Sequence, residues 1–401
     1  MFEIIIGILL GFSLLMWIGY FFLTIWNYHQ LPKLSVTPGE RSSSQLPFVS
    51  VIVPSRNEAN RIEKCIQSLK TQTYPNLEIL IVDDSTDNTL DVIKTIIRDD
   101  SRFTLIKQEK LPEGWIGKPH ALQQGSKVAK GDLFLFIDAD TFHDPALISR
   151  AVEYALAHNI DLLSLVPHNV LVTFWEKVIQ PIPLGILPAI SPLAKVNKPD
   201  SKVVVAFGPF MLIKRSVFTK IGGYETIKNR IADDAEMAKL VKNSGYKVGL
   251  ANAQTMMHIR MYDNFSQIWE GWSKNIFLGL VQKREINSKS LRLLVALAGA
   301  GVIFGLMVFP LCATIITLLL TVVTRAPQWQ WIFLLALFVW LLGIVLQFIV
   351  QKTYRYGNPM YALLAFLGGL IIIGIFLNSA KKTMSGTGVT WKGRIYTEKK
   401  S

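Results

Sequence analysis

Between Leu293 and Gln351 the chain carries one charged residue, Arg325, and between Tyr356 and Ala380 it carries none. Runs of that length exceed what a buried core helix needs. They match the roughly 20 apolar residues required to cross the hydrocarbon core of a bilayer. A further apolar run opens the chain and reaches Trp26. Glu3 replaces the basic leader of a signal peptide and no small-residue cleavage site follows, so residues 1–28 read as a spanning helix. Lys33 and Arg41 follow it, which directs the next segment to the cytoplasm. The spacing predicts about three spans in 291–380, at 293–323, 328–350 and 359–380. Three spans after a cytoplasmic domain leave the tail outside. Yet the 381–401 tail holds Lys381, Lys382, Lys392, Arg394, Lys399 and Lys400, which favours the inside. A re-entrant segment or an additional span reconciles the two. The expectation is a multi-pass protein of the cell membrane with its catalytic domain in the cytoplasm.

Between these regions lies a soluble stretch, 48–290, long enough to bury one full core. A linker at 29–47 with Pro32, Pro38, Ser42, Ser43 and Ser44 precedes it. The net charge of +13 comes without a nucleic-acid motif. Anionic headgroups and the positive-inside rule account for it, and no nucleic-acid partner is expected. The two cysteines, Cys65 and Cys312, give neither a disulfide framework nor zinc spacing.

Within the soluble stretch, short β-branched runs alternate with helical spacing. Strands are predicted at Phe48–Pro54, Leu77–Val82, Phe103–Ile106 and Leu133–Ile137, with helices at Arg61–Gln72, Leu90–Ile97, His120–Lys130 and Pro145–Ala157. That alternation implies a parallel α/β sheet. Ligands of such sheets bind beyond the carboxyl ends of the strands. Val203–Ile213 returns to strand character, and Asp234–Ser244 is a helix with Gly245 after its end. Residues 170–196 are apolar but carry Pro181, Pro183, Pro188 and Pro192. They read as broken and interfacial, against a proline-rich core loop as the plainer alternative.

Three acidic clusters could carry chemistry. Asp138-Ala139-Asp140 leaves the fourth strand with two carboxylates one residue apart, a pairing that suits a hard cation and diphosphate oxygens. By itself such a pair is most often a solvated loop. Val82 to Thr89 offers acids and hydroxyls for a base and ribose, or merely caps the helix at Leu90. Asp233-Asp234 opens a helix, where it complements the dipole or serves as a general base. His258 is a further candidate ligand, though a lone histidine is more often packed.

In order along the chain stand Val51 to Glu58, Val82 to Asp87, Gly117 to Leu122, Asp138-Ala139-Asp140, Gly208 to Met211, Gly222-Gly223-Tyr224 and Ala232-Asp233-Asp234. Together they resemble the family 2 glycosyltransferases of GT-A fold, over roughly residues 48–280. The flanking membrane segments and the ending Gly388 to Arg394 are similar to bacterial hopanoid-associated and diaponeurosporenoate-type lipid glycosyltransferases, with ceramide glucosyltransferase as a relative. The resemblance implies a Rossmann-like nucleotide-sugar domain held by N- and C-terminal transmembrane helices. It implies Mg²⁺ or Mn²⁺ held by Asp140, and a donor pocket of Pro54, Arg56, Glu58, Asp84, Lys118 and Asp138. It implies Asp234 as base with Asp233 in support, and Gly222, Gly223 and Tyr224 framing the acceptor side. The family's Q/R-x-x-R-W arrangement is absent. Gln267 to Asn275 keeps Gln267, Trp272 and Lys274, and Lys274 is the candidate replacement for the arginine as a phosphate contact. For Trp269 and Trp272, anchoring at a membrane interface is the alternative.

The implied reaction is inverting and metal-dependent, moving a sugar from UDP-glucose or another UDP-sugar to a membrane lipid. Transfer to a polyprenyl phosphate, processive polysaccharide synthesis and non-catalytic nucleotide-sugar binding are the competing readings.

Overall fold

The computed structural model describes residues 2–34, 46–108, 110–278, 280, 286 and 288–396. Pro38, Arg41, Ser42, Ser43 and Ser44 of the expected linker, and Lys399 and Lys400 of the tail, lie outside them. The chain divides into two compact units.

One unit comprises Gln30–Asn169 and Leu193–Met261. Its strands are β1 Val49–Ser55, β2 Leu77–Asp83, β3 Phe103–Lys107, β4 Leu133–Ile137, β5 Thr141–His143, β6 Leu162–Val166, β7 His168–Asn169, β8 Phe210–Lys214, β9 Val248–Asn252 and β10 Met257–Ile259. The main sheet runs β3-β2-β1-β4-β8-β6-β9. Alternation along each strand divides the core in two. Val49, Val51, Val53, Ile79, Ile81, Leu135 and Ile137 face the helices Ile62–Lys70, Thr89–Ile97 and Leu147–Ala157. Ile52, Leu80, Val82, Phe134 and Phe136 face the helices Gly117–Val128, Arg215–Lys220 and Asp233–Asn243. Burial on both faces explains why these strands read as continuous apolar runs.

The sheet is mixed, where the alternation of elements predicted a parallel one. β8 pairs antiparallel with both β4 and β6. Phe210 at its start lies opposite Ile137 at the end of β4, so β8 enters from the carboxyl side of the sheet and runs back. It is also shorter than the predicted Val203–Ile213. Ahead of it, the Ser164 hydroxyl donates to the Phe207 carbonyl at 3.1 Å and accepts the Phe207 N–H at 2.8 Å. That clip satisfies the backbone without a ladder. A small sheet, β5-β10-β7, stands beside the main one. The stretch expected to be a linker begins in order: Leu34 N–H donates to the Asn252 carbonyl and Asn252 N–H to the Pro32 carbonyl, both at 2.8 Å.

The other unit comprises Met1–His29, Val170–Pro192 and Tyr262–Ser401. By contacts, therefore, 170–192 and 262–290 group with the apolar helices, not with the 48–290 domain expected from the sequence. Four helices among the described residues are long and apolar enough to cross a membrane: Phe2–Gln30, Lys289–Thr324, Pro327–Thr353 and Pro359–Ser385. Ile8, Leu15, Val323 and Trp331 stand outward on them, each at least 66% exposed, as side chains facing lipid do. Lys289–Thr324 spans 36 residues, about 54 Å at ~1.5 Å per residue. It carries a π-helical segment at Phe304–Val308, which ends two residues before Pro310. Proline has no N–H for the carbonyl four residues back, so the ladder shifts there.

The proline-rich stretch forms two short helices, Phe174–Ile179 and Pro181–Ile190. Thr173 and Glu176 close a capping box on the first. Pro188 sits inside the second, and the Leu184 carbonyl it leaves without a helical partner is met by the Tyr356 hydroxyl at 3.5 Å. Thr24 donates to the Gly185 carbonyl at 3.2 Å and Asn27 to the Pro188 carbonyl at 2.9 Å. The last described residues form a hairpin of β11 Val389–Trp391 and β12 Arg394–Tyr396.

Candidate active site

The carboxyl edge of the main sheet is built from three stitched loops. After β1, Asn57 takes a left-handed conformation (φ 52°), which asparagine tolerates better than most residues. That turn aims its N–H at the Ser85 hydroxyl (2.9 Å), while its side-chain oxygen accepts the Thr86 N–H (2.9 Å). Asp84 N–H donates to the Ser55 carbonyl, and Glu58 N–H to the Thr89 hydroxyl, each at 2.9 Å. Arg56 closes the rim, donating to the Asp84 carboxylate at 2.9 Å and its carbonyl at 2.7 Å. Of the residues expected in a donor pocket, Pro54 thus lies at the end of β1, Arg56 and Glu58 on the loop after it, and Asp84 on the loop after β2. Ser85 and Thr89 belong to the hydroxylated stretch read from sequence as facing a base and ribose, and here they bond the loop after β1. The Asn57-Glu58 pair after a strand, with small hydroxylated residues after the next, is the signal that marks these bonds.

Beyond β4, Asp138 and Asp140 follow the strand. Lys118, on the first turn of Gly117–Val128, places its Nζ 2.6 Å from Asp138 Oδ1 and 3.9 Å from Asp233 Oδ2. Burial opposes the charge on this ammonium. The carboxylates of Asp138, Asp233 and Asp234 more than offset that and hold its pKa above the ordinary lysine value.

Asp233 and Asp234 open the helix Asp233–Asn243. Asp233 is buried and Asp234 partly exposed. Both Asp234 oxygens are fixed by backbone donors, Gly208 N–H at 2.9 Å and Ala235 N–H at 2.7 Å. Gly208 owes its place to β8 entering from the carboxyl side of the sheet. A Cβ there would lie 3.0 Å from Lys118 Nζ and 3.4 Å from Asp234 Oδ2, so the glycine leaves room for both. Lys118, Asp138, Asp233, Asp234 and the Gly208 backbone therefore converge.

Tyr224 lies beneath them. It is wholly buried, and its ring packs edge-on against Phe136 with centroids 5.1 Å apart. Its N–H donates to Gln123 Oε1 at 2.9 Å. Burial first, and then Asp233, Asp138 and Asp234, push its phenol far above the usual range, so it stays protonated. Gly222 (φ 82°) and Gly223 (φ 56°) supply the turn that brings it there. Tyr224 is thus a floor to the acidic cluster.

Asp140 is next to the small sheet. Its carbonyl accepts the Arg260 N–H at 3.2 Å. His258, two residues earlier on β10, stacks on Phe142 with centroids 5.0 Å apart and meets His168 edge-on at 5.4 Å. Among the described residues no three His, Cys, Asp or Glu side chains form a ready cage for a metal ion. The two carboxylates, one residue apart after β4, still suit a hard cation that keeps waters and takes its remaining ligands from phosphate oxygens.

Trp272 and Lys274 belong to the other unit. Lys274 Nζ is 5.6 Å from the ring centroids of both Trp391 and Tyr396, within cation–π range. Tyr262 stands between Trp272 and Trp391, at 6.3 and 5.9 Å. The C-terminal hairpin and the helix Phe265–Ser273 therefore form one aromatic cluster.

Residues 50–222 match the profile described as "Glycosyl transferase family 2". A 4,4'-diaponeurosporenoate glycosyltransferase of Staphylococcus haemolyticus (strain JCSC1435) is 25% identical over 243 residues, which is 60% of this chain and 64% of that protein. Its namesake from Staphylococcus aureus (strain USA300) is 26% identical over 235 residues, 58% of this chain and 61% of that one. The chain thus spans less than two thirds of these curated relatives. Among solved structures, the mannosyltransferase PcManGT from Pyrobaculum calidifontis, in complex with GDP-Man and Mn²⁺, aligns with a TM-score of 0.50 and 18% identity. The alignment covers 93% of this chain and 98% of that one, a likeness of fold. Over residues 50–222 the matched profile, the sheet and the acidic clusters at its carboxyl edge agree on a glycosyltransferase family 2 domain of GT-A fold.

Proposed function

We propose that the protein is a membrane-held, inverting glycosyltransferase that moves a sugar from a nucleotide-sugar, UDP-glucose or another UDP-sugar, to a lipid. What carries the reading is the convergence of Lys118, Asp138 and Asp234 around Gly208. It joins a donor-side ion pair to a carboxylate fixed for proton transfer. The curated relatives are named for 4,4'-diaponeurosporenoate, which supports a lipid-like acceptor.

Arg56 and Asp84 would hold the base and ribose, Asp138 the ribose, and Lys118 the diphosphate. Asp140, with diphosphate oxygens, would hold Mg²⁺ or Mn²⁺, which would neutralise charge on the departing diphosphate. Asp234 takes the proton of the acceptor hydroxyl as its oxygen bonds to the anomeric carbon from the face opposite the diphosphate. The bond from that carbon to the diphosphate oxygen breaks, and the nucleoside diphosphate leaves with the electron pair. The remaining contribution is orientation and electrostatics. The domain works on the cytoplasmic side of the cell membrane, with the unit of Gln30–Asn169 and Leu193–Met261 supplying the transfer chemistry and the other unit the anchorage.

One observation favours a second reading. Both Asp234 oxygens already accept a backbone N–H, so the carboxylate is engaged before an acceptor arrives. An acceptor already anionic, such as a polyprenyl phosphate, asks less of it.

One assay separates these. Purified protein with Mg²⁺ or Mn²⁺ meets radiolabelled UDP- and GDP-sugars and bacterial lipid extract, beside Asp140→Ala and Asp234→Asn. Label in one organic-extractable species, lost in both variants, supports a hydroxyl acceptor. Label kept by Asp234→Asn within about tenfold supports an anionic one, since a lost general base costs about 10²–10⁴-fold. Label in insoluble polymer overturns both in favour of a processive synthase. Donor binding without transfer overturns them in favour of a binder.

A further inference from the structure

Four described helices of the membrane unit are long and apolar enough to cross a bilayer, but their contacts do not carry all four across the same slab. Phe2 meets Trp329, Trp17 lies against Gly343, and the Tyr20 hydroxyl donates to Gln347. The Tyr28 ring meets Tyr354 edge-on, with centroids 4.9 Å apart. Phe2–Gln30 and Pro327–Thr353 therefore run side by side in one direction with their ends level. Lys289–Thr324 runs the other way. It stops just before Pro327, and midway along it the Gly305 carbonyl accepts the Ser13 hydroxyl at 2.7 Å. These three helices share two ends: a first with Phe2, Thr324 and Trp329, and a second with Tyr28, Lys289 and Tyr354.

Pro359–Ser385 does not reach the first end. Gly369 packs on Met307 and Gly299 on Phe376, and Ala380 shares a cluster with Ile286. Its long helical part, Ala365–Ser385, is thus antiparallel to Lys289–Thr324 and finishes at the second end. It is also entered from that end, because Tyr356 stacks on Tyr354 with centroids 5.5 Å apart. Between them Pro359–Leu364 climbs along Pro327–Thr353. The climb stops near Met307, two residues from the level of Ser13, and about 26 Å of Lys289–Thr324 continue past it. From Gly369 back to Lys381 is about 18 Å, little more than half of a hydrocarbon core of roughly 30 Å. Backbone that turns at such depth must be covered by protein, and Ala362 and Ala365 at the turn are both buried.

We infer that residues 354–385 form a re-entrant hairpin, which enters and leaves the bilayer on one side, so that three helices cross and the basic tail lies at the second end. Charge agrees with this. Lys289, Lys352, Lys381, Lys382, Lys392 and Arg394 then gather at one membrane face, and Arg325 stands at the other, as the positive-inside rule requires. A fourth crossing would put the tail cations beside Arg325. The inference does not depend on the transferase reading, because it concerns sidedness alone.

The test labels the full-length protein with a membrane-impermeant maleimide, in intact bacterial cells and in inverted membrane vesicles. Gln328→Cys marks the first end and His29→Cys the second, with Ser385→Cys as the unknown; all three positions are exposed. The unaltered protein, whose thiols are Cys65 and Cys312, is the blank. Ser385→Cys is expected to label in the preparation that labels His29→Cys and to lose labelling in the one that labels Gln328→Cys. Labelling together with Gln328→Cys overturns the hairpin, because the segment then crosses. A reporter joined after Ser401 needs no substitution. With His29→Cys labelled in inverted vesicles, a green fluorescent protein there is expected to fluoresce and an alkaline phosphatase to be inactive; an active phosphatase without fluorescence overturns the inference.

Discussion

Lys118 Nζ sits 2.6 Å from Asp138 Oδ1 with Asp233 on its far side. One cation therefore holds together the end of β4, the start of Gly117–Val128 and the start of Asp233–Asn243. The pair is a third exposed on the lysine side, so solvent reaches it and its role is placement more than stability. Lys118→Met is expected to lower kcat/KM for the nucleotide-sugar by about 10²-fold, at a cost of about 1 kcal/mol or less in unfolding. Because its pKa is held above the ordinary lysine value, the charge persists to at least about pH 10. Any stability it provides is fully present below that pH and is lost only as pH rises through the raised value. A pH–rate profile of the unaltered protein showing a lysine-like loss near pH 8 or 9, absent in Lys118→Met, would contradict this.

Gly208 tests the convergence from the backbone side. Gly208→Ala brings a methyl to 3.0 Å from Lys118 Nζ and within 3.4–3.5 Å of Asp234. The lysine end can swing away, so the fold should survive with a change of under about 1 kcal/mol. The chemistry should not. A misplacement of a few tenths of an ångström at both groups predicts a fall in kcat of about ten- to a hundredfold. Equal thermal midpoints with unequal turnover confirm it; unchanged turnover refutes it.

How much of this was legible in advance depends on distance along the chain. β1, β2 and β4 were readable because each is buried on both faces and its apolar run needs no partner to be recognised. Asp138, Asp140 and Asp234 were readable from strand ends and a helix start. The direction of β8 was not, because it depends on where the chain re-enters the sheet. The Gly208 bond to Asp234 spans 26 residues and has no local signature. Nor could periodicity assign Val170–Pro192. Its prolines marked a broken helix correctly, but its grouping follows from the Leu184 and Pro188 carbonyls, met by Tyr356 and Asn27, and from the Gly185 carbonyl, met by Thr24, all far away in sequence.

His143 gives the unit of Gln30–Asn169 and Leu193–Met261 a pH dependence. Its ring is buried, with Nδ1 3.1 Å from the Ser68 hydroxyl. Burial, and then the nearby His258, hold its pKa down at about 3. The unfolded chain takes up that proton near pH 6.5. Between the two values the unfolded state binds one more proton, so stability falls as pH drops, by up to ~1.4 kcal/mol per pH unit. Above about pH 6.5 the contribution is complete. His143→Gln keeps a partner for Ser68 and removes the titration. Thermal midpoints of the two proteins from about pH 7 down to 4 should diverge, the unaltered one falling more steeply; parallel curves would exclude the effect.

Asn27 tests the packing of the broken helix. Its Nδ2 donates both to Leu23 in its own helix and to the Pro188 carbonyl, each at 2.9 Å. The residue is 3% exposed. Asn27→Leu fits the apolar surroundings but removes that donor from the carbonyl. Hydrogen bonds between membrane helices average about 0.6 kcal/mol and reach about 1.7, and a buried carbonyl deprived of its donor falls toward the upper figure. The variant should therefore unfold about 1–2 kcal/mol more easily in detergent. Thr24→Val, which strips the Gly185 carbonyl of its donor at 3.2 Å, should cost less, since the longer bond contributes less and the Gly185 carbonyl can still take the helical N–H of Ala189. If Asn27→Leu is neutral while Thr24→Val is costly, the helix is held by packing against Gly185 instead of by the carbonyls its prolines leave free.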